Sequence, residues 1–442
     1  MGGSRSGLIA QLFAMCAAGL ISFPAISGPG FDDLEERVAA LEASVARAGN
    51  KKVSVSIYGQ VNRAILAWDD GRDSDAYIVD NDTSSTRLGV IGQGELKPGW
   101  TAGYRIEIEY KDASSDEVFN TGDEGFGESN QMRTRHAYWY IETENAGRLS
   151  IGQQSPSTDD ITLINLGAAM SDAGLHYNNS FALRLKSGEL TDLFWGHLAS
   201  IVDSIRGDFV RYDTPIMHGF LVSAAWGEND NWDAAIRYQG EWNDVRFASG
   251  LGYMDNTKLD FSDMRGSASA IHTLSGLFVT AAGGIRNEGD AAFFMNGNPF
   301  NFNDDSYFYF AQAGVNKEWF SAGKTSVYGE YGLYNNFSAG KILRGEIDND
   351  IVDMGLVLDN EVERLGLGVE QAFSASSVLL YANVNYYTAD IVQSKPAIVA
   401  PAQILSRSEV GAAVQSPSSP PKNRPLSVED WSGVVVGARI QF

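Results

Sequence analysis

The chain has 442 residues, 44% hydrophobic, 11% aromatic and 20% charged, and its 56 acids outnumber its 33 bases to give a formal net charge of −23. That acidity argues against a nucleic-acid partner, since holding phosphates needs a basic surface. A mean hydropathy just below zero argues against a bundle of membrane-spanning helices.

Residues 1–27 read as a signal peptide. Arg5 supplies the positive start, Leu8 to Phe23 form an apolar stretch broken only by Gln11 and Ser22, and Ala25-Ile26-Ser27 is a small-x-small cleavage pattern. The single cysteine, Cys16, lies inside it, so the mature chain would have no disulfide, thiol nucleophile or thiolate metal ligand. Residues 28–50 read as a short coiled-coil helix. Phe31, Leu34, Val38, Leu41, Val45 and Ala48 recur at spacings of 3, 4, 3, 4 and 3, with Leu34, Val38, Leu41 and Val45 at the centre of the seam. Such a helix is roughly 27 Å long. It is too short to hold chains together alone, so it belongs where something else already does so. One amphipathic helix lying on a domain satisfies the same spacing, and Val alternating with Leu suits a dimer as well as a trimer.

From residue 51 to 442 the pattern changes to period two, the mark of strands. Trp100, Ala102, Tyr104, Ile106, Ile108 and Tyr110 share one face, and Arg105, Glu107, Glu109 and Lys111 the other. Apolar faces tend to begin or end in an aromatic, as the two girdles of a membrane barrel require. The spacing predicts sixteen strands, at 52–68, 83–94, 100–111, 131–143, 148–155, 205–215, 219–227, 232–241, 244–255, 268–277, 278–287, 306–318, 325–336, 362–373, 376–389 and 431–442. Short turns alternate with long connections at 69–82, 112–130, 156–204, 256–267, 288–305, 337–361 and 390–430. The last holds six of the twelve prolines and reads as a surface loop. Alternation of this kind predicts an all-β fold: a 16-stranded antiparallel transmembrane barrel with its turns, and both ends of its sheet, on the periplasmic side. In the final strand Val434, Val436, Ala438, Ile440 and Phe442 share one face, and the chain ends on the aromatic itself.

Several stretches resemble the general diffusion porins of Gram-negative outer membranes. Val55-Ser-Ile-Tyr-Gly-Gln-Val61 resembles their first strand, Thr86-Arg-Leu-Gly-Val90 their second, and Thr134-Arg-His-Ala-Tyr138 a later one. Gly147-Arg-Leu-Ser-Ile-Gly-Gln153 and Phe209-Val-Arg-Tyr-Asp-Thr-Pro215 resemble the strands flanking the constriction loop, and Val435 to Phe442 the closing strand. The resemblance implies a homotrimer in the outer membrane, in contact with lipid and lipopolysaccharide, whose Phe442 strand engages the barrel assembly machinery. It also implies that 156–204 folds into the pore as a constriction loop. By motif Arg87 and Arg135 take positions on a basic pore wall, with Arg105, Arg133 and Arg211 as neighbours, facing loop acids among which are Asp159, Asp160 and Asp172. Gln153 stands where many members carry a base, and the Pro-Glu-Phe-Gly-Gly stretch of many constriction loops is absent.

The implied function is passive diffusion of small hydrophilic solutes and ions through a water-filled pore. Two alternatives are a channel selective for a solute such as a dicarboxylate, and a structural tether reaching from the barrel through the coiled coil. The acidic run Asp69 to Asp75 misses the register of a calcium loop. The five histidines show no metal spacing, and neither a nucleophile elbow nor a dinucleotide motif occurs. No enzyme, metal or cofactor is expected.

Overall fold

The computed structural model describes residues 53–120, 131–170, 180–202, 206–258, 261–288, 293–295, 298–300, 305–347, 350–394 and 424–442. The stretch expected to be a signal peptide, the heptad segment with Leu34, Val38, Leu41 and Val45, and the loop acid Asp172 lie outside these residues.

Sixteen strands form the wall. They are β1 (Ser54–Asp69), β2 (Arg87–Lys97), β3 (Trp100–Lys111), β4 (Gln131–Thr143), β5 (Gly147–Gln154), β6 (Gly207–Asp213), β7 (Phe220–Gly227) and β8 (Asn231–Trp242), then β9 (Val245–Asn256), β10 (Phe261–His272), β11 (Leu277–Glu288), β12 (Asp305–Phe320), β13 (Gly323–Asn335), β14 (Asp350–Phe373), β15 (Val378–Gln393) and β16 (Trp431–Gln441). Each pairs antiparallel with the next. β16 then pairs with β1 from Gln60↔Gln441 to Asp69↔Ser432 and closes the barrel. Among the described residues no helix is long and apolar enough to cross a membrane; the strands do the crossing.

The outer face is apolar because alternate residues of every strand point there. Ile57, Val61, Ile65, Ile106, Ile108, Leu365, Leu367, Val434 and Val436 are all exposed on it. Rings collect at two levels. Trp100, Trp139, Tyr212, Phe220, Trp242, Trp319 and Phe442 stand near the turn end, and Tyr110, Trp226, Trp232, Tyr253, Tyr309, Tyr331 and Tyr386 near the loop end. On β8, Trp232 and Trp242 are ten residues apart, which is roughly 33 Å along the strand and about 25 Å along the membrane normal at the usual tilt. That matches the apolar band of an outer membrane.

The inner face is polar and contains rings laid over glycines. A Cβ at Gly89 would stand 2.1 Å from Tyr58, and one at Gly103 would stand 2.4 Å from Tyr140. Each tyrosine covers the bare backbone of the neighbouring strand, which offsets the weakness glycine brings to a sheet.

Four boundaries differ from the spacing-based expectation. The tenth strand, expected at 268–277, is Phe261–His272, and the turn falls at 273–276. From 268 to 277 apolar residues mix with Ser269, His272, Thr273 and Ser275 on both faces, so periodicity offers no clear break; Gly276, at φ +76°, makes the turn and its N–H donates to the His272 carbonyl at 2.8 Å. The connection expected at 256–267 therefore shrinks to 257–260. After β1 the chain reverses at once rather than looping over 69–82, and Ser74–Asp80 pairs with the upper half of β1 before β2 pairs with its lower half. Within 337–361, Ile342–Ile347 makes a hairpin with the start of β14. Within 390–430, β15 continues to Gln393 and pairs with Arg424–Leu426.

Candidate functional site

The strand register assembles a charged wall inside the barrel. Arg87 on β2 lies opposite Glu109 on β3, which lies opposite Arg133 on β4. One row nearer the turn end, Gly89, Glu107 and His136 are aligned in the same way. A bulge between Glu107 and Ile108 in this pairing leaves Arg135 as the extra residue of β4, because Glu107 pairs with His136 and Ile108 with Thr134. Bulges re-aim side chains. Here Arg135 reaches Glu107 Oε1 through Nε at 2.6 Å and Glu109 Oε2 through Nη1 at 2.8 Å. Arg105 Nη2 donates to Glu107 Oε2 at 2.9 Å, and the Tyr58 hydroxyl donates to the same oxygen at 2.7 Å. Arg105 Nε in turn donates to the Tyr58 oxygen at 2.7 Å. Ser85 donates to Glu109 at 2.9 Å.

The carboxylates are therefore the buried layer and the guanidinium groups the layer above them. Glu107 is 1% exposed, whereas the Arg133 side chain is 57% exposed and sits 3.9 Å from both Glu109 and Glu117. Lys111 is paired as well, with Asp82 at 3.1 Å and Asp116 at 2.8 Å, but there the base is the more buried partner. Four of the five arginines expected on a basic wall, Arg87, Arg105, Arg133 and Arg135, do share one wall, and acids interleave them there. Arg439 of β16 adjoins them, and it and Arg87 both donate to Ser84 Oγ, at 3.3 and 3.4 Å.

Arg211 does not join this wall. On β6 it holds Asp213 through Nε and Nη2 at 3.0 and 2.9 Å, and its Nη1 donates to the carbonyls of Ser155 and Pro156 at 3.3 Å. It fastens the root of the long connection between β5 and β6. Asp159 lies at the same root, buried, 3.3 Å from Arg206 and bonded by Ser155. Asp160 is exposed, in the left-handed region at φ 60°. Thus neither Asp159 nor Asp160 stands on the stretch that follows.

That stretch, residues 161–170, runs across the inner wall and carries no charge. It is pinned strand by strand. Asp233 of β8 accepts the N–H groups of Ser157 and Thr158 at 3.1 and 2.7 Å. Ser267 of β10 donates to the Ile161 carbonyl at 2.5 Å, and Ser269 accepts from Leu166 N–H at 2.9 Å. Asn316 of β12 and Ser326 of β13 both donate to the Gly167 carbonyl. Glu370 of β14 accepts the N–H groups of Ala169 and Met170, each at 2.8 Å. Glycines make room for it, since a Cβ at Gly250 or Gly252 would stand 2.8 or 2.7 Å from Ile161 or Thr158.

After 171–179, which lie outside the described residues, the connection turns back toward the loop end. Ala182–Arg184 and Leu190–Phe194 form a short hairpin. Phe181, Leu183, Leu193 and Trp195 pack with Trp68, Tyr387 and Trp431 into an apolar core inside the outer mouth. The ring of Phe181 lies 5.2 Å from that of Trp68 and 5.3 Å from that of Trp431. This core fills the lumen beside β1, β15 and β16. Sequence reasoning missed Tyr58, Asp233, Asn316 and Glu370, since single polar residues on alternating strands carry no motif. Glu107 and Glu109 stood on the expected inner face, but nothing in the period showed that they would neutralise their neighbours.

The family model for Gram-negative porins matches residues 38–391. No curated protein matches the chain. Among solved structures, the anion-selective porin of Comamonas acidovorans is similar, at 15% identity and a TM-score of 0.52, over 88% of this chain and 100% of that one. The in-vitro folded OmpT, an outer-membrane protein of Vibrio cholerae, is similar at 14% identity and a TM-score of 0.50, over 90% of this chain and 100% of the other. At these identities the likeness to solved structures is one of fold.

Proposed function

This chain belongs to the Gram-negative porin family, and from that premise we propose that it is a passive channel of the outer membrane for small hydrophilic solutes and ions. The observation that carries the reading is the contrast between the two faces of a closed barrel. One face is an apolar band of membrane height. The other is lined with charge and crossed by an uncharged, pinned segment that narrows the path. On this reading a solute passes between residues 161–170 and the wall of β2, β3 and β4. It meets guanidinium groups above buried carboxylates, so water and hydrogen-bonding solutes find partners while apolar ones do not.

The wall charges are largely matched within the wall, as Glu107 is with Arg105 and Arg135. The field a solute feels then comes mainly from groups such as Arg133 that reach the water. The exposed outward residues of β1 and β2 are aliphatic, among them Ile57, Val61, Ile65 and Leu88. An aliphatic wall of this kind suits contact with further copies of the chain, which supports the homotrimer.

Single-channel recording in a planar bilayer tests the proposal. Ohmic current in three equal steps, unaffected by added succinate or malate, is the expected result. Concentration-dependent block by one of those acids would favour a selective channel, and silence from folded protein would overturn both.

A further inference from the structure

The turn end of the lumen, away from the charged wall, contains a half-open cavity of about 480 Å³. Its lining brings together Glu241, Arg246, Lys317, Glu318 and Lys324, all of them exposed to solvent. Glu241 and Arg246 face each other across the β8–β9 ladder, and Arg246 is next in register to the buried Ile271 of β10. Among the described residues none of these five charges is within ion-pair distance of an opposite one. This sets the cavity apart from the wall of β2, β3 and β4, where acids and bases clasp each other directly. The cavity also touches Asn316, whose amide holds the Gly167 carbonyl at 2.8 Å. It therefore lies under the point where the infolded segment is fastened.

We propose that this cavity is a binding site for a small zwitterion of the α-amino-acid class. Three bases and two acids that leave one another uncompensated favour a solute bringing both signs of charge. A dicarboxylate without an ammonium group would meet Glu241 and Glu318 unfavourably, and a simple cation would meet three bases. A solute with two carboxylates and one ammonium has a net charge opposite in sign to that of the set. The volume falls within the usual range for small-molecule sites, roughly 300–1,000 Å³. On the channel reading this is a resting place for a solute at the inner mouth. Binding itself is independent of conduction, so the two ideas fail separately.

Calorimetric titration of folded protein in detergent with L-glutamate and, separately, with glutarate tests the site. L-Glutamate is expected to bind with a millimolar Kd and glutarate about tenfold more weakly. The double variant R246Q/K324Q should lose glutamate binding, and E241Q/E318Q should lower glutamate affinity to that of glutarate. Equal binding of the two solutes by the unaltered protein, unchanged affinity in either double variant, or no binding of glutamate at all would each overturn the proposal. The comparison of the two solutes needs no variant, so a misfolded substitution leaves the test intact.

Discussion

Glu107 shows how one side chain sets the character of the lumen wall. It accepts from Tyr58, Arg105 and Arg135 and is almost wholly enclosed. Removing its charge strands two guanidinium groups beside one another. The Glu107→Gln variant is therefore expected to shift permeability toward anions by about two- to fivefold, the effect of roughly 0.4–1 kcal/mol from a partly screened charge. The reversal potential in a salt gradient reads this directly; a shift toward cations, or none, would refute the layered arrangement. Arg135→Ala should move the reversal potential the opposite way, since it leaves Glu107 and Glu109 less compensated. A second residue-scale expectation concerns Gly89. Its Cβ would fall on the Tyr58 ring, so Gly89→Ala should displace that ring and disturb the same Glu107 contact, giving a selectivity shift of the same sign as Glu107→Gln.

At the scale of the element, the connection between β5 and β6 is held in two different ways. Its first half is pinned by hydrogen bonds from successive strands, with Glu370 as the farthest anchor. Two backbone hydrogen bonds at about 1–1.5 kcal/mol each are worth roughly 2–3 kcal/mol. Glu370→Ala should thus raise the released population about 30- to 150-fold. That release would appear as noisier and larger single-channel current and as faster protease cleavage between 155 and 202. Quiet current of unchanged size would show that the remaining anchors suffice. The second half is held by apolar packing instead. Trp431, fully buried against Phe181 and Tyr387, should cost about 3–5 kcal/mol when cut to alanine. The cost should fall on the outer mouth, so protease sensitivity within 180–202 should rise while the barrel keeps its resistance to denaturation.

At the scale of the whole molecule, stability depends on closure. Sixteen strands with an open seam would expose two unpaired edges to lipid, where unmet backbone groups cost several kcal/mol each. The seam runs the length of β16 and ends with a reciprocal pair, Gly59 N–H to the Phe442 carbonyl and Phe442 N–H to the Gly59 carbonyl, both at 3.0 Å. Deleting Ile440–Phe442 is expected to reduce sharply the fraction of chains that fold into a barrel of heat-modifiable mobility. A normal yield from the truncated chain would mean that the rest of the seam closes the sheet alone.

The barrel was legible in the sequence because alternation is enforced twice, by lipid outside and water inside. A slip of one residue would turn every side chain of a strand to the wrong solvent. The face of β3 that presents Tyr104, Ile106 and Ile108 outward and Arg105, Glu107 and Glu109 inward was readable for that reason, as were the sixteen strands and the rings at their ends. The turn at 273–276 was not, because apolar and small polar residues mix on both faces around it and leave no contrast to read. The lumen was only half legible. Arg87, Arg105, Arg133 and Arg135 share a wall because the strand order makes β2, β3 and β4 neighbours. Their pairing with Glu107 and Glu109 depends on cross-strand register and on one bulge, which period two does not encode. The departure of Arg211 and Asp159 to the root of the infolded segment, and the anchoring of that segment by Asp233, Asn316 and Glu370, join residues up to 201 positions apart. Contacts of that range exist only once the sheet has closed, so the periodic pattern determined the barrel and the tertiary structure decided what its interior does.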